Sequence, residues 1–398
     1  MKKIILVLLV IFCMGCTREG PHYDCEDGAL SLVFTHEGST ANFDRSVADD
    51  IELYLYDNNG KNIDIMNKEE WLKKGYVTEP VDKTLDLKTE IDKLRKEKNA
   101  LILGHYYQSG EIQDIADFVG DSLALAQWAA KTDADIIVMC GVHFMGETAK
   151  ILCPDKKVLV PDLNAGCSLA DSCPADEFAK FVKEHPDHTV ISYVNTTAAV
   201  KAVTDVVVTS TNAKQIVDSF PADEKIIFGP DRNLGNYINS ITGRDMLLWD
   251  GACHVHEQFS VEKILELKKQ YPNAAILVHP ECKGAVSKLA DKVASTAGLL
   301  KYAITSDKKD FIVATESGIL HEMRKKCPEK NFIPAPPEDS TCACNECNFM
   351  RLNTMEKLYN TLKYEWPEVV VDEAIAEEAV KPIKKMLEIS ENQAVGKQ

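Results

Sequence analysis

Three cysteines, Cys167, Cys253 and Cys347, end short turn-like sequences that recur along the chain at nearly even spacing. They lie 86 and 94 residues apart. If each cysteine closes an equivalent unit, the three thiolates can meet on one axis. Because thiolates are ligands for zinc and for iron–sulfur clusters, the spacing predicts a shared metal centre.

The spacing of the other cysteines limits the kinds of metal centre that the chain can hold. A structural zinc site usually has two pairs of closely spaced cysteines, whereas close pairs after residue 66 occur only among Cys342, Cys344 and Cys347. Three thiolates without a fourth in register fit a [4Fe-4S] cluster with one open iron, which can act as a Lewis acid. Spacing alone leaves open the alternative that the terminal triplet forms a disulfide or has no ligand role.

Two further sets of residues share the period. The side chains that follow the first apolar run of each unit are His105, Tyr193 and His279, which are 88 and 86 residues apart. A second series of apolar runs places Cys140, Phe228 and Ala314 at the same two spacings. Short apolar runs of this kind are typical of buried strands. The period is longer than the roughly 20 to 50 residues of solenoid repeats, so we expect small whole domains.

Strand-like and helix-like runs alternate after residue 98, which predicts an α/β fold with parallel sheets and helices on both faces. Turn-rich sequences divide this region into units. We expect a helical lead-in at 66–97, three α/β repeats at 98–172, 173–257 and 258–350, and C-terminal helices at 351–398. The thiols outside the three segments are expected to be buried or incidental, since free cysteine packs as a small hydrophobe. They are Cys140, Cys153, Cys173, Cys282 and Cys327.

The composition excludes one class of function. With 45% hydrophobic and 27% charged residues the chain has the balance of an ordinary globular protein. Its net charge of -17 argues against a nucleic-acid-binding surface. An anionic small substrate remains compatible with that charge, because hydroxyl groups, backbone N–H groups and helix N-termini can bind an anion locally.

The N-terminal sequence has a different character. Residues 1–16 read as a secretion signal in which Gly15-Cys16 resembles a bacterial lipoprotein cleavage site. Residues 17–65 read as a truncated β-rich segment that resembles the start of fimbrial anchor lipoproteins. We therefore expect the leader to be a graft or an incorrectly assigned start, with Met66 as the natural initiator. The thirteen cysteines then belong mainly to a body that needs no disulfides.

Several motifs occur in one order across about residues 70–390. They are GHYYQ at 104–108, GDSL at 120–123, SYVNT at 192–196, CHVH at 253–256, HPEC at 279–282 and STAG at 295–298. Together with Cys347, Met350 and Asn353, they resemble the quinolinate synthase family. The resemblance implies three homologous parallel-sheet domains around a pseudo-threefold axis, with a central iron–sulfur cluster. It also implies condensation of iminoaspartate with dihydroxyacetone phosphate to quinolinate, phosphate and water, in de novo NAD biosynthesis.

The resemblance further implies a role for individual residues. The cluster ligands would be Cys167, Cys253 and Cys347. The catalytic residues would be Tyr107, Tyr193, His279 and Glu281. The substrate-binding residues would be His105, Ser122, Tyr193, Asn195, Ser210, His256, His279, Glu281 and Thr296. Within that set His105 and Ser122 would hold the carboxylates of iminoaspartate, and Glu281 could act as a base.

The expected partners are the two small substrates, with L-aspartate oxidase or aspartate dehydrogenase supplying iminoaspartate. We expect no nucleic acid, no membrane association of the catalytic body and a cytoplasmic location, which conflicts with the lipoprotein-like leader. One alternative is a surface-anchored lipoprotein with a non-catalytic α/β body. Another is an aconitase-like hydratase, but this would be expected to show a Cys-x2-Cys pair plus one distant cysteine.

The ligand set is tested by single substitutions. Replacing Cys167, Cys253 or Cys347 with alanine should abolish the cluster, because each would supply one of its three ligand thiolates. Replacing Cys342 or Cys344 should leave it in place. Iron and sulfide are quantified after anaerobic purification, and a cluster retained in Cys347→Ala would overturn the assignment.

Overall fold

The computed structural model describes residues 17–19, 22–24, 54–56, 62–64, 68–339 and 345–395. The leader expected at residues 1–16 and the side chains of Cys342 and Cys344 lie outside these ranges. The chain divides into two compact units, residues 1–73 and 74–398. The first contains two antiparallel strand pairs. These are β1 (Thr17–Glu19) with β2 (His22–Asp24), and β3 (Tyr54–Tyr56) with β4 (Asn62–Asp64).

The second unit contains three four-stranded sheets in which every strand pair is parallel. The first is formed by β5 (Ala100–His105), β6 (Phe118–Gly120), β7 (Ile136–Cys140) and β8 (Lys157–Leu159). The second is formed by β9 (Thr189–Tyr193), β10 (Val206–Val208), β11 (Ile226–Gly229) and β12 (Leu247–Leu248). The third is formed by β13 (Ala275–Val278), β14 (Lys292–Val293), β15 (Asp310–Ala314) and β16 (Asn331–Pro334).

All three sheets use their strands in the same spatial order: second, first, third, fourth. The α/β fold of three parallel-sheet repeats predicted from the sequence is therefore confirmed. The exact domain boundaries given above stay predictions.

An aspartate clamp recurs at the same place in each sheet. The aspartate before the second strand donates its N–H to the carbonyl oxygen of a first-strand residue at 2.9 Å, and its side chain accepts the N–H of that same residue at 2.8 Å. The three clamps are Asp117 on Ile102, Asp205 on Val190 and Asp291 on Ile276. Because these aspartates are 88 and 86 residues apart, the clamp is a structural counterpart of the sequence period.

Sixteen α-helices lie in the described residues. They begin with α1 (Lys68–Lys74), α2 (Leu87–Glu97), α3 (Gly110–Ile115), α4 (Ser122–Lys131), α5 (His143–Leu152), α6 (Ser168–Asp171), α7 (Ala175–Lys183) and α8 (Ala198–Lys201). They continue with α9 (Ala213–Asp218), α10 (Arg232–Thr242), α11 (Val261–Gln270), α12 (Gly284–Ser287), α13 (Thr296–Thr305), α14 (Ile319–Lys326), α15 (Met355–Tyr364) and α16 (Glu373–Val395). Single 3₁₀ turns occur at His256–Gln258 and Met350–Leu352. In the described part of the chain no helix combines the length and apolar character needed to cross a membrane.

Helix starts follow local capping chemistry. Asp121, Asp231 and Ser295 stand immediately before α4, α10 and α13, and each side chain accepts a backbone N–H of the first turn. Such caps satisfy N–H groups that have no partner within the helix. Two of these helices, α4 and α13, begin directly after the second strand of a sheet, so their first turns lie at its carboxyl end.

The sheets are buried on both faces. In the third sheet Leu277 and Val313 face one apolar cluster, whereas Ile276 and Ile312 face another, as the two-residue period of a strand requires. The C-terminal helices predicted at 351–398 are present, and they pack onto the body of the second unit. Leu358 and Leu362 of α15 join the cluster around Ile91 of α2, and α16 contributes Ile383 and Met386 to the largest cluster.

The third sheet should depend on the packing of Phe311, which is fully buried and stacks on Phe332 with ring centroids 5.3 Å apart. Phe311→Ala should lower the free energy of unfolding by about 3–5 kcal/mol, because the change leaves a cavity. The matched change Leu265→Ala, at a side chain 43% exposed, should cost less than about 0.5 kcal/mol. Urea unfolding followed by circular dichroism measures both, and equal losses would contradict the packing argument.

Candidate active site

Carboxyl ends of strands from all three sheets line one cavity of about 680 Å³, a volume that includes space open to solvent. Ligands of open parallel sheets commonly bind at this end. All thirteen residues singled out from the sequence line the cavity: His105, Tyr107, Ser122, Cys167, Tyr193, Asn195, Ser210, Cys253, His256, His279, Glu281, Thr296 and Cys347. Their convergence is a property of the structure, and their individual roles stay predictions.

Equivalent strand ends supply equivalent side chains. His105 ends β5, Tyr193 ends β9 and His279 follows β13 directly. The second strand of each sheet leads into a hydroxyl group, supplied by Ser122, Ser210 and Thr296. Because Ser122 and Thr296 are also the first residues of α4 and α13, the positive ends of two helix dipoles lie at the cavity wall.

The three cysteines have a common local geometry. Each thiol receives a hydrogen bond from the backbone N–H of the residue three positions later, namely Ala170, His256 and Met350. These residues belong to α6 and to the two 3₁₀ turns. Hydrogen bonds from backbone N–H groups favour a thiolate and are typical of cluster ligands.

Burial opposes these hydrogen bonds and raises the pKa of all three thiols, that of Cys167 to about 12. A nearby thiol adds to the effect, because Cys347 raises the pKa of Cys167 and both raise that of Cys253. The three thiols are free and close enough to influence one another. A bound metal cation would remove the cost of ionising them, so the donor set fits a metal centre.

A second group of possible ligands overlaps the cysteines. The ligand atoms of Cys253, His256 and Glu281 lie within 4.8 Å of one another. Nδ1 of His256 is 3.2 Å from Sγ of Cys253 and 3.1 Å from Oε2 of Glu281. Sulfur, imidazole and carboxylate donors together suit zinc or iron. The site therefore has the residues needed for a metal cofactor.

Glu281 is the buried carboxylate of the cavity. Tyr193 Oη donates to its Oε1 at 2.5 Å, and Nδ1 of His279 lies 3.7 Å from the same oxygen. Burial alone would raise the pKa of Glu281, but the adjacent His256 and the Tyr193 hydroxyl group hold it below its usual range. Burial and the charge of Glu281 raise the pKa of Tyr193 well above its ordinary value, so the phenol stays protonated and donates.

A chain of hydrogen bonds joins the two tyrosines. Oη of Tyr107 lies 2.7 Å from Oγ1 of Thr296 and 2.8 Å from Oγ1 of Thr315. Nε2 of His256 lies 2.9 Å from the same Thr315 oxygen. Since His256 also contacts Glu281, the chain is continuous from Thr296 to the carboxylate. A proton can pass between neighbouring members of such a network.

His105 and His279 are neutral donors. Burial lowers the pKa of each from 6.5 to about 3. Nδ1 of His105 accepts the N–H of Tyr107 at 3.1 Å, and Nδ1 of His279 accepts the N–H of Glu281 at 3.4 Å. In a neutral imidazole the other nitrogen then carries the proton. Both rings can therefore offer an Nε2–H to a bound anion.

Residues 89–388 match the family model described as Quinolinate synthetase A protein. The chain belongs to this family. Relatives named quinolinate synthase include one from Chloroherpeton thalassium, 56% identical over 77% of this chain and 95% of the relative. Another, from Trichormus variabilis, is 58% identical over 79% of this chain and 96% of the relative. A third, from Thermosynechococcus vestitus, is 57% identical over 77% of this chain and 96% of the relative.

The sequence reasoning missed several residues that line the cavity. Glu316 follows β15 and is fully buried, and His254 lies beside Cys253, where its Nδ1 is 2.7 Å from Oγ of Ser168. The position of Glu316, two residues after the end of β15, was a usable signal. The prediction for the remaining thiols is confirmed, since all five are buried: Cys140, Cys153, Cys173, Cys282 and Cys327.

The neutral histidines predict an acid dependence of stability. The folded-state pKa of each is depressed, so the unfolded chain binds more protons below pH 6.5. The stabilisation is fully present above pH 6.5 and is lost as the pH falls towards about 3. Each histidine adds a slope of up to about 1.4 kcal/mol per pH unit.

His105→Gln should flatten the dependence of the apparent unfolding free energy of metal-free protein between pH 6.5 and 4.5, because one proton is no longer taken up. His143→Gln, at a side chain 36% exposed, is the control and should keep the parent slope. Urea titrations at several pH values measure it. An unchanged slope in His105→Gln would show that this ring is not a source of the dependence.

Proposed function

We propose that the chain forms quinolinate by condensing iminoaspartate with dihydroxyacetone phosphate, releasing phosphate and water. Membership of this family, together with relatives that are quinolinate synthases, makes this an enzyme of NAD biosynthesis. The observation that supports the chemistry is the meeting of three thiols, two tyrosines and one carboxylate in a single cavity. The alternative of a surface-anchored lipoprotein with a non-catalytic α/β body does not fit membership of this enzyme family.

The proposed cofactor is a [4Fe-4S] cluster held by Cys167, Cys253 and Cys347. Three ligands from three separate segments leave one iron without a protein thiolate, and when bound the cluster supplies a Lewis acid to the substrate. The residues of the chain provide the remaining chemistry. Their proposed roles follow from the protonation states and contacts of each group.

Anion binding is assigned to the helix starts and the neutral imidazoles. Iminoaspartate carries two carboxylates and the triose carries a phosphate. We assign the carboxylates to Nε2–H of His105 and to Ser122 at the start of α4, and a phosphate or carboxylate to Ser210 and to Thr296 at the start of α13. Backbone N–H groups and the helix dipole favour negative charge there. Asn195 Oδ1, which has no hydrogen-bond partner among the described residues, is free to orient the triose.

Proton transfer is assigned to Glu281 and the tyrosines. Formation of the pyridine ring requires removal of protons from carbon and protonation of leaving oxygens. Glu281 is ionised and can accept a proton at Oε1 or Oε2, while Tyr193 Oη holds a proton next to it. Tyr107 Oη is also protonated, because burial raises its pKa well above the ordinary value. It is therefore assigned as a proton donor to the triose.

The proposal includes a cellular setting. An iminoaspartate-forming enzyme, L-aspartate oxidase or aspartate dehydrogenase, would supply the unstable imine. A cytoplasmic location would keep the ligand thiols reduced, and the eight cysteines of the described residues are all free.

The test is an anaerobic preparation of residues 66–398 beside the full chain, assayed with dihydroxyacetone phosphate and freshly generated iminoaspartate. We expect about four irons per chain and quinolinate as product. Tyr193→Phe should lower kcat by about 10²- to 10⁴-fold while iron is retained, because an acid–base group is lost. Tyr271→Phe, at a side chain 37% exposed, should keep the parent rate. Folded protein with neither iron nor product would contradict the proposal.

A further inference from the structure

Beside the cavity lies an ion pair to which no role has yet been assigned. Glu316 follows β15 and is fully buried, and Arg351 lies in the 3₁₀ turn Met350–Leu352 with 26% of its side chain exposed. Nη2 of Arg351 donates to Oε1 of Glu316 at 3.0 Å. Burying a carboxylate costs several kcal/mol unless it is paired and hydrogen-bonded. The other contacts of Glu316 and Arg351 show which parts of the backbone the pair holds in place.

Glu316 fixes the backbone of a proposed metal ligand. Its Oε1 accepts the N–H of Cys347 at 3.1 Å, and its Oε2 accepts the N–H of Gly318 at 2.6 Å. The adjacent Ser317 N–H donates to the carbonyl group of Asn345 at 2.9 Å. The carboxylate therefore ties the segment that carries Cys347 to the carboxyl end of the third sheet.

Arg351 extends the connection to the first sheet. Its Nη1 donates to the carbonyl oxygen of Tyr107 at 2.7 Å, and its own N–H donates to the carbonyl group of Cys347 at 3.1 Å. Gly318 passes so close to Tyr107 that a Cβ there would lie 2.8 Å from the Tyr107 backbone. The pair thus sits where the first sheet, the third sheet and the Cys347 segment meet.

We propose that Glu316 and Arg351 are positioning residues that hold Cys347 and Tyr107 in fixed relation. Loss of the pair then loosens a metal ligand and a proton donor together. The functional meaning rests on the roles proposed above for Cys347 and Tyr107. The geometric claim, that the pair restrains the Cys347 backbone, can be measured without substrate or metal.

The first experiment measures thiol reactivity in the metal-free full chain, with Cys342→Ser and Cys344→Ser in every variant so that Cys347 is read alone. Alkylation by iodoacetamide is followed for each cysteine by mass spectrometry. In Glu316→Gln, which cannot accept both N–H groups, Cys347 should react about tenfold faster relative to Cys167 and Cys253, because a charge-assisted anchor is lost.

Glu346→Gln is the matched control. This carboxylate adjoins Cys347 and contacts Nε of Arg351 at 3.4 Å, but its side chain is 41% exposed. The substitution likewise removes a negative charge that contacts Arg351, and Cys347 should react within about twofold of the parent rate, since exposed pairs contribute little.

An unchanged rate for Cys347 in Glu316→Gln would overturn the proposal. If fully buried Cys140 also becomes reactive, the variant has unfolded, and Arg351→Lys decides instead. Lysine keeps the charge but cannot bridge Glu316 and the Tyr107 carbonyl group as the planar guanidinium does. Cys347 should then react about threefold faster, and an unchanged rate in that folded variant would equally overturn it.

A second measurement connects the anchor to the cofactor. Anaerobically reconstituted Glu316→Gln should release iron to a chelator faster than the parent and than Glu346→Gln, and its kcat should fall with little change in KM. If the parent chain makes no quinolinate, the proposed function fails while the alkylation result still stands. Faster alkylation with unchanged iron release would refute the part of the proposal that concerns the metal.

Discussion

Charge buried in one cavity is the constraint on which the structure of the site depends. Glu281 is an ionised carboxylate among buried histidines and tyrosines, and three thiols nearby have raised pKa values because burial disfavours their thiolates. The protein offsets this with hydrogen bonds from Tyr193 and from backbone N–H groups. A cationic metal centre completes the balance, so binding of the metal and the protonation states of the cavity are coupled.

Repetition of one sheet three times explains how so many polar groups reach one place. Each sheet orders its strands identically, and the same aspartate clamp fixes its first two strands. The carboxyl ends then present corresponding positions to the cavity. After the second strand of every sheet there is a hydroxyl side chain, at Ser122, Ser210 and Thr296. The side chains at the ends of the first strands differ between the sheets. Two of those ends carry a neutral imidazole and the third carries a tyrosine, so equivalent positions serve different chemistry.

The parts of the fold and site that could be predicted from the sequence are those that depend on local pattern or on period. The buried strands, the parallel sheets and the convergence of Cys167, Cys253 and Cys347 follow from apolar runs and spacing. The protonation states could not be predicted this way. That Tyr193 donates to Glu281, or that His105 and His279 use Nδ1 as an acceptor, depends on distances between residues far apart in the chain or on backbone geometry beyond a strand end.

The Cys347 segment shows why the period alone is an incomplete guide. Its cysteine lies 94 residues after Cys253, rather than the 86 that separate the first two, so this segment needs its own support to reach the same cavity. Glu316 and Arg351 provide that support with charges, at a contact between the first and third sheets. At the second segment a carboxyl group also lies near the cysteine backbone, since the N–H of Cys253 is among the groups that oppose the burial-raised pKa of Asp231. A buried acidic side chain therefore lies near the backbone of both Cys253 and Cys347, although a hydrogen-bond distance links only Glu316 to its cysteine.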